Sequence, residues 1–285
     1  MSPEISVIIP TYNRAAMVVE AVESVLAQDT EGFELIVVDD GSTDDTEKRL
    51  AVFGSSLRYQ RQENAGVSRA RNLGVELSRA PMVAFLDSDD LWLSSKLRIQ
   101  HGYMVKHPDV LICQTEEIWW RNGRRVNPKK HHKKQSGDIF KPSLELCLVS
   151  PSAVMMRREL FERVGYFDED LPMAEDYDLW LRVAVEHPVP LISEPLVIKR
   201  GGHQDQLSKL PAIDRYRIKA LEKLLNSGNL SPEQYEWTWQ ALKDKCQIYG
   251  QGCLKRGKVE EGEHYLALAE KYRRKAQGQR RKVNS

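Results

Sequence analysis

Short apolar runs alternate with segments of helical period along the first hundred residues. Residues 5–9 (ISVII) form a β-branched run stopped by Pro10, and residues 33–38 (FELIVV), 57–61 (LRYQR) and 82–86 (MVAFL) are the next strand candidates. Continuous apolar runs of this length read as strands buried on both faces. Between them, residues 15–28 place Ala16, Val19, Val22 and Leu26 at helical spacing, and residues 66–78 predict a second helix. Asp39-Asp40-Gly41-Ser42 is a turn cluster, after which Thr43 or Asp44 can cap a helix. The order β-α-β-α-β-α-β predicts an α/β fold: a mostly parallel sheet flanked by helices.

The pattern loosens afterwards. Residues 94–106 read as a helix, 110–119 as a strand, 152–156 as a strand, 158–164 as a helix and 175–185 as a helix burying Leu179, Trp180 and Val183. A last strand at 196–199 leads to Gly201-Gly202-His203. Residues 121–134 hold seven Lys/Arg, two His and no acid, with turn signals at Asn122-Gly123 and Asn127-Pro128, and read as a mobile loop or hairpin. From about Pro211 the strand signals stop. Three helices are predicted at 213–225, 232–249 and 259–272, broken at Gly228 and Gly257, with Ser231-Pro232 as a start signal. The last of them looks like one helix of a tetratricopeptide hairpin, but there is no second copy and hence no repeat array. The division expected is an α/β domain over 1–205, a helical extension over 206–272 and a basic, disordered tail over 273–285, where six Lys/Arg meet no acid.

Composition narrows the function classes. The 285 residues are 41% hydrophobic and 29% charged, which suits a folded globular protein. Forty-two Lys+Arg balance 41 Asp+Glu, so global basicity offers no argument for nucleic acid as a partner. No apolar stretch reaches 18 residues, and the N-terminus lacks a basic region and a cleavage site, so neither a membrane span nor a signal peptide is expected. The four cysteines, Cys113, Cys147, Cys246 and Cys253, form no CxxC pair and read as reduced thiols in a cytoplasmic protein.

Candidate chemistry gathers at the predicted strand ends, the ligand edge of an open α/β sheet. Asp87-Ser88-Asp89-Asp90 follows a strand directly. Three adjacent carboxylates repel one another, and a hard divalent ion between them and a diphosphate relieves this; a solvated acidic turn or a helix cap is the plainer alternative. Asp39 and Asp40 can accept from a base N–H or a ribose hydroxyl, or simply build a turn. Glu175-Asp176-Tyr177-Asp178 opens a helix, where acids suit the dipole, and a carboxylate there can also serve as general base. His203, behind two glycines, is a candidate metal ligand or an ordinary histidine. The basic 121–134 segment can neutralise phosphate, contact an anionic acceptor, or merely be solvated; Trp119 and Trp120 precede it.

Five segments, taken in order, resemble the inverting family 2 of glycosyltransferases with the GT-A fold: 6–14 (SVIIPTYNR), 37–44 (VVDDGSTD), 64–72 (NAGVSRARN), 85–92 (FLDSDDLW) and 175–180 (EDYDLW). The resemblance covers roughly 4–205 and implies a GT-A domain at 1–205. It implies a nucleotide-sugar donor, most often a UDP-sugar, with Mn2+ or Mg2+. By that likeness Pro10, Thr11, Tyr12 and Arg14 line the nucleotide-sugar pocket, Asp39 meets the base with Asp40 beside it, and Asn64, Arg71, Asn72 and Ser88 help to hold the donor. Asp87 would meet the ribose, Asp89 would bind the metal with Asp90 as the alternative, His203 would be a further metal contact, and Asp176 would be the catalytic base. The implied acceptor is a hydroxyl of a glycan or lipid-linked saccharide in cell-envelope polysaccharide synthesis. The implied location is cytoplasmic, at the inner face of the membrane, with peripheral contact through 273–285. Processive members carry a QxxRW-type motif and membrane helices; neither is present. Three other readings stand beside this one: a nucleotidyltransferase, although residues 5–14 lack its glycine-rich phosphate loop; a dehydrogenase, for which no GxGxxG follows the first strand; and a nucleotide-sugar-binding scaffold without turnover.

Overall fold

The computed structural model of the chain describes residues 2–127, 132–202 and 213–283, and of the last ten of these, 274–283, the backbone alone. The first half follows the predicted alternation: β1 (Ile5–Thr11), α1 (Ala15–Leu26), β2 (Phe33–Asp39), α2 (Thr46–Leu50), β3 (Arg58–Arg61), α3 (Val67–Leu77) and β4 (Met82–Phe85). Then come β5 (Leu91–Trp92), α4 (Lys96–Lys106), β6 (Ile112–Arg121), β7 (Arg124–Val126), α5 (Phe140–Ser143), β8 (Val154–Arg157), α6 (Glu159–Val164), α7 (Glu175–Ala184) and β9 (Leu191–Gly201). Three helices follow: α8 (Ile213–Asn226), α9 (Pro232–Lys255) and α10 (Val259–Val283).

Among the described residues, nine strands form one sheet in the order β3-β2-β1-β4-β8-β6-β9-β5, with β7 paired to β6. The strands β1 to β4 are mutually parallel, as the alternation predicts. The second half departs from this pattern. Strand β8 lies antiparallel to β4 and to β6, β9 runs parallel to β6, and β5 closes antiparallel on β9. The α/β class holds, with a mixed sheet that is wholly parallel only in its first half. Long excursions separate β4, β6 and β8 in sequence, and apolar periodicity carries no information on direction once the connection is longer than one helix.

Period-2 alternation divides the core. From β1, Val7 and Ile9 face α1 and α4 in one apolar cluster that includes Val18, Val22, Leu97 and Met104. Ile8 faces the other side, where Phe85, Val83 and Met156 pack with α6, α7 and the C-terminal helices through Phe161, Trp180, Leu221, Leu242 and Tyr272. The helical extension thus shares its core with the sheet rather than forming one of its own. Helix α3 crosses β1 so closely that a Cβ on Gly74 would lie 2.3 Å from Ile8 Cγ2, so only glycine fits there. Helix α9 starts with a full capping box, Ser231 and Gln234 bonding reciprocally. The backbone of α10 continues to Val283, beyond Arg273, where the charge run predicted disorder; Ala, Gln, Lys and Arg are strong helix formers despite that charge. No helix among the described residues is long and apolar enough to cross a membrane.

One buried cation stands apart from the apolar core. Lys96 is fully buried in the first turn of α4, with Nζ donating to Gln100 Oε1 and lying 4.0 Å from the centroid of the Trp92 ring. Burial pushes its ammonium down to about 7. Above that pH the folded chain holds one proton fewer than the unfolded chain, so this group makes stability rise with pH until its ordinary value of 10.5 is reached. Urea unfolding of wild type and Lys96→Met should therefore show the wild type gaining on the variant between pH 7 and pH 9; a constant difference would contradict the buried, neutral lysine.

Candidate active site

The carboxyl ends of β1, β2 and β4 lie together because the strands are parallel and in register; Thr11 pairs with Asp39. The loops beyond β1 and β2 are stitched to each other. Asn13 adopts a left-handed φ of 50°, its Oδ1 accepts from Thr43 N at 2.7 Å, and its own N–H donates to Ser42 Oγ at 2.9 Å. Asp39 is buried, accepting from Ser42 N at 2.7 Å and from Tyr59 Oη at 2.6 Å. Asp40 is buried too and accepts from Gln62 Nε2, Ala65 N, Gly66 N and Asn64 Nδ2 at 2.7–3.1 Å. Its carboxylate is filled by the 62–66 loop it organises, which also binds Asn64 to Asp40.

Beyond β4, the acidic turn is built on Ser152, a residue that the sequence reading passed over. Ser152 Oγ accepts from Asp87 N at 3.1 Å and donates to Asp90 Oδ2 at 2.7 Å, while Ser152 O accepts from Trp92 Nε1 at 2.8 Å. The other Asp90 oxygen accepts from Arg200 N at 2.9 Å. Asp89 pairs with Arg14 at 3.2 Å, and its carbonyl accepts from Arg200 Nε. Carboxylate oxygens of Asp87, Asp89 and Asp90 lie within 4.8 Å of one another. Burial, and then the charge of Asp89, push the Asp90 carboxyl well above the usual carboxylate range. These are hard oxygen donors, the set that Mg2+ or Mn2+ selects. Asp90 already gives both oxygens to the protein, so Asp89, with Asp87, is the better-placed donor for an ion.

Arg71 connects this turn to α7. Its buried guanidinium donates from Nη2 to Asp87 Oδ1 at 2.7 Å and from Nη1 to Glu175 Oε1 at 2.6 Å. Despite burial, Asp87 and Glu175 hold its charge firmly. Glu175 opens α7 directly after Ala174, a non-glycine residue at φ 60°. That left-handed step sets the angle at which Asp176 leaves the chain. Asp176 Oδ1 accepts from Tyr177 N at 2.7 Å, and Oδ2 accepts from Cys147 Sγ at 3.6 Å. Tyr177 Oη donates to Leu144 O at 2.6 Å, and Asp178 is paired with Arg182 at 2.8 Å and with Lys223 of α8 at 2.7 Å, so α7 is fixed from both sides.

A single cavity of about 360 Å3 joins these parts. Asp87, Ser88, Asp89, Asp90, Arg71, Glu175 and Asp176 all line it, with Pro10 and Arg14 from the end of β1. Thr11, Tyr12, Asp39, Asp40, Asn64 and Asn72 do not. Thr11 and Tyr12 lie at the carboxyl end of β1, Asp39 and Asp40 at that of β2, and Asn64 in the loop after β3. Asn72 is turned away, donating to Phe167 O and Glu169 Oε1, both at 2.9 Å, and accepting from Phe167 N at 3.1 Å. His203 lies outside the described residues. Other lining residues had no signal in the sequence. Glu117 on β6 pairs with Lys134 at 3.0 Å, and although burial works against its charge, Lys134 and Lys199 pull its carboxyl down to about 2. Lys199 is half-buried, and Glu117, Asp90 and Asp87 hold it charged. Arg217 reaches the cavity from α8. The Trp119-Trp120 pair, and Arg121, His132 and Lys134 from the basic 121–134 segment, also line the cavity and did stand out in the sequence.

A mixed sheet with an acidic turn at the end of its fourth strand, facing a helix-borne carboxylate across one cleft, defines the GT-A class of fold. The family model described as glycosyl transferase family 2 matches residues 6–165, and the chain belongs to that family. An uncharacterized glycosyltransferase of Rickettsia typhi is 34% identical over 249 residues, covering 86% of this chain and 73% of that protein. The relative from Rickettsia felis is 33% identical over 209 residues, 73% of this chain, but the match spans only about a third of that protein's length (33%). A relative from Escherichia coli, UDP-Glc:alpha-D-GlcNAc-diphosphoundecaprenol beta-1,3-glucosyltransferase WfgD, is 30% identical over 194 residues, 66% of this chain and 73% of the relative. Among solved structures, S. aureus TarS 1–349 in complex with UDP-GlcNAc shares the fold at a TM-score of 0.71 and 22% identity, covering 94% of this chain and 79% of that one. A Pyrobaculum calidifontis mannosyltransferase with GDP-Man and Mn2+ does so at 0.58 and 19%, covering 98% and 84%.

Arg71 is the joint of the site, and removing one partner of a buried ionic triad leaves uncompensated charge. Arg71→Met should cost about 3–5 kcal/mol in urea unfolding, with part of the loss recovered when Glu175→Gln is added. A loss below about 1 kcal/mol, the level of an exposed pair, would mean that the triad does not hold the site together.

Proposed function

We propose that the chain is a divalent-metal-dependent, inverting glycosyltransferase that moves a sugar from a nucleotide-sugar, most simply a UDP-sugar, to a hydroxyl of a glycan or lipid-linked saccharide. The observation that carries this reading is the common cleft. The acid turn of Asp87, Asp89 and Asp90 and the Asp176 carboxylate, from segments far apart in sequence, line one cavity. A binding scaffold needs the first group but has no use for the second.

In this reading Asp89 and Asp87 would hold Mn2+ or Mg2+, with Arg14 and Arg71 beside them as fixed cations. The ion, when bound, supplies charge neutralisation to the departing diphosphate. Asp176 takes the proton from the acceptor hydroxyl as that oxygen bonds to the anomeric carbon. The bond from that carbon to the diphosphate oxygen breaks as the new one forms, and its electron pair leaves with the nucleotide. Attack from the face opposite the leaving group inverts the configuration. Tyr177 N and Cys147 Sγ each donate to one Asp176 oxygen and so hold the orientation of the carboxylate. A lipid-linked acceptor is supported by the similarity to WfgD, whose name gives a diphosphoundecaprenol substrate. Asp39 and Asp40 act in this reading by shaping the nucleotide side of the cleft.

Asp176→Asn keeps the shape and removes the base. It is expected to lower transfer to a saccharide acceptor by at least about a hundredfold, while UDP affinity in the presence of Mn2+, read by titration calorimetry, stays within about threefold. Wild-type turnover by that variant would remove Asp176 from the mechanism. Asp89→Asn should do the reverse and weaken UDP only in the presence of metal; equal loss with and without Mn2+ would contradict the metal assignment.

A further inference from the structure

Helix α1 carries a polar stripe that the transfer step does not use. Glu20, Ser24 and Gln28 stand four residues apart, Gln28 just past the helix end, and all three reach the chain around the acid turn. Gln28 donates from Nε2 to Leu93 O and accepts at Oε1 from Leu97 N, both at 2.9 Å. Ser24 Oγ accepts from Trp92 N at 3.2 Å. Glu20 accepts from Arg200 Nη1. Arg200 donates onward, from Nε to Asp89 O and from its backbone N–H to Asp90 Oδ1 at 2.9 Å. One side of α1 is thereby tied to the acid turn and to the segment that follows it.

Glu20 differs from the other two members of the stripe. Ser24 and Gln28 bind backbone groups, whereas Glu20 sets a carboxylate on a guanidinium. The Arg200 and Glu20 side chains are 23% and 52% exposed, and a pair so exposed contributes little to folding stability. Its bearing on the adjoining turn is of another kind. Carboxylate oxygens of Asp87, Asp89 and Asp90 crowd within 4.8 Å of one another. Arg14 already sets one cation on Asp89, and Arg200 brings a second to the same residue. Each fixed positive charge there opposes the entry of a divalent ion, and the carboxylate of Glu20 offsets that of Arg200.

We propose that Glu20 is a positioning residue for a divalent ion at the acid turn. Through Arg200 it fixes the Asp89 carbonyl and the Asp90 carboxylate, and its charge cancels that of Arg200, so that the carboxylates of Asp87 and Asp89 keep their pull on Mn2+ or Mg2+. Outer residues of this kind orient metal ligands and tune affinity without touching the ion. This deepens the metal reading of the acid turn and rests on it. The α1 segment then serves the site twice: Arg14, just before the helix, pairs with Asp89, and Glu20 restrains the second cation that reaches it.

The test reads Mn2+ affinity rather than turnover. Mn2+ is added to the full chain with a fixed excess of UDP, and the free ion is read from its electron paramagnetic resonance signal. Glu20→Gln keeps the shape and an acceptor oxygen for Arg200 but removes the charge. It should bind Mn2+ about three- to tenfold more weakly than wild type at low ionic strength. That deficit should shrink at about 1 M salt, where the screening length falls to about 3 Å. Glu20→Ala also frees the Arg200 side chain, so it should lose more, and the additional loss should persist in salt. Glu23→Gln removes the same charge from an exposed α1 position that does not touch Arg200, and should bind Mn2+ as wild type does. Wild-type affinity in Glu20→Ala, an equal loss in Glu23→Gln, or a Glu20→Gln deficit unchanged by salt would overturn the role of Glu20 while leaving the metal reading in place. Wild type binding Mn2+ no better than Asp89→Asn would overturn the metal reading and this inference with it.

Discussion

The buried guanidinium of Arg71 is the contact on which the site depends. It lies between Asp87, just beyond the end of β4, and Glu175, at the start of α7 and 104 residues after Arg71. A cation enclosed by two carboxylates in a dry setting has one favourable arrangement, so the acid turn and the start of α7 are held at a fixed separation. Glu175 keeps its place through this pair, and Asp176, its neighbour, is thereby aimed into the cleft. The two halves of the proposed chemistry, metal and base, are thus positioned by a residue that performs neither.

The second half of the chain provides the opposing wall. Its mixed strands bring Ser152 under the acid turn and Arg200 against it, so that both Asp90 oxygens accept from the protein, while Asp89 pairs with Arg14 from the end of β1. The C-terminal helices act from behind. Lys223 of α8 pairs with Asp178 of α7, and α8, α9 and α10 bury their apolar faces in the same core as β1 and β4. They support the base-bearing helix and place Arg217 in the cavity wall.

Much of this was legible in the residues. The β1 and β2 strands and the α1, α3 and α7 helices follow from local periodicity, and the clusters at Asp39, Asp87 and Asp176 fall at element ends, where ligands bind in such sheets. What periodicity misses is long-range. The antiparallel entry of β8, the two-residue β5 and the eleven-residue span of β9, which sequence reduced to four residues, are stabilised by partners distant in sequence. Individual side chains divide in the same way. Asp40 and Asn72 carry the motif but are saturated by the backbone they organise. Glu117 and Lys199 carry no motif and yet form a charge network in the cavity wall with Lys134 of the basic segment, because pairing emerges only when β6 and β9 lie side by side.

The central claim is that one cleft would hold a divalent ion at Asp89 and would let Asp176 take the acceptor's proton. Anomalous diffraction at the manganese edge, from crystals grown with UDP and Mn2+, tests it most directly. The account predicts an anomalous peak within coordination distance of the Asp89 carboxylate, bridged to the diphosphate, with Asp176 making no contact to the ion. Bound UDP with no peak at Asp89, or with the peak on Asp176, would contradict it.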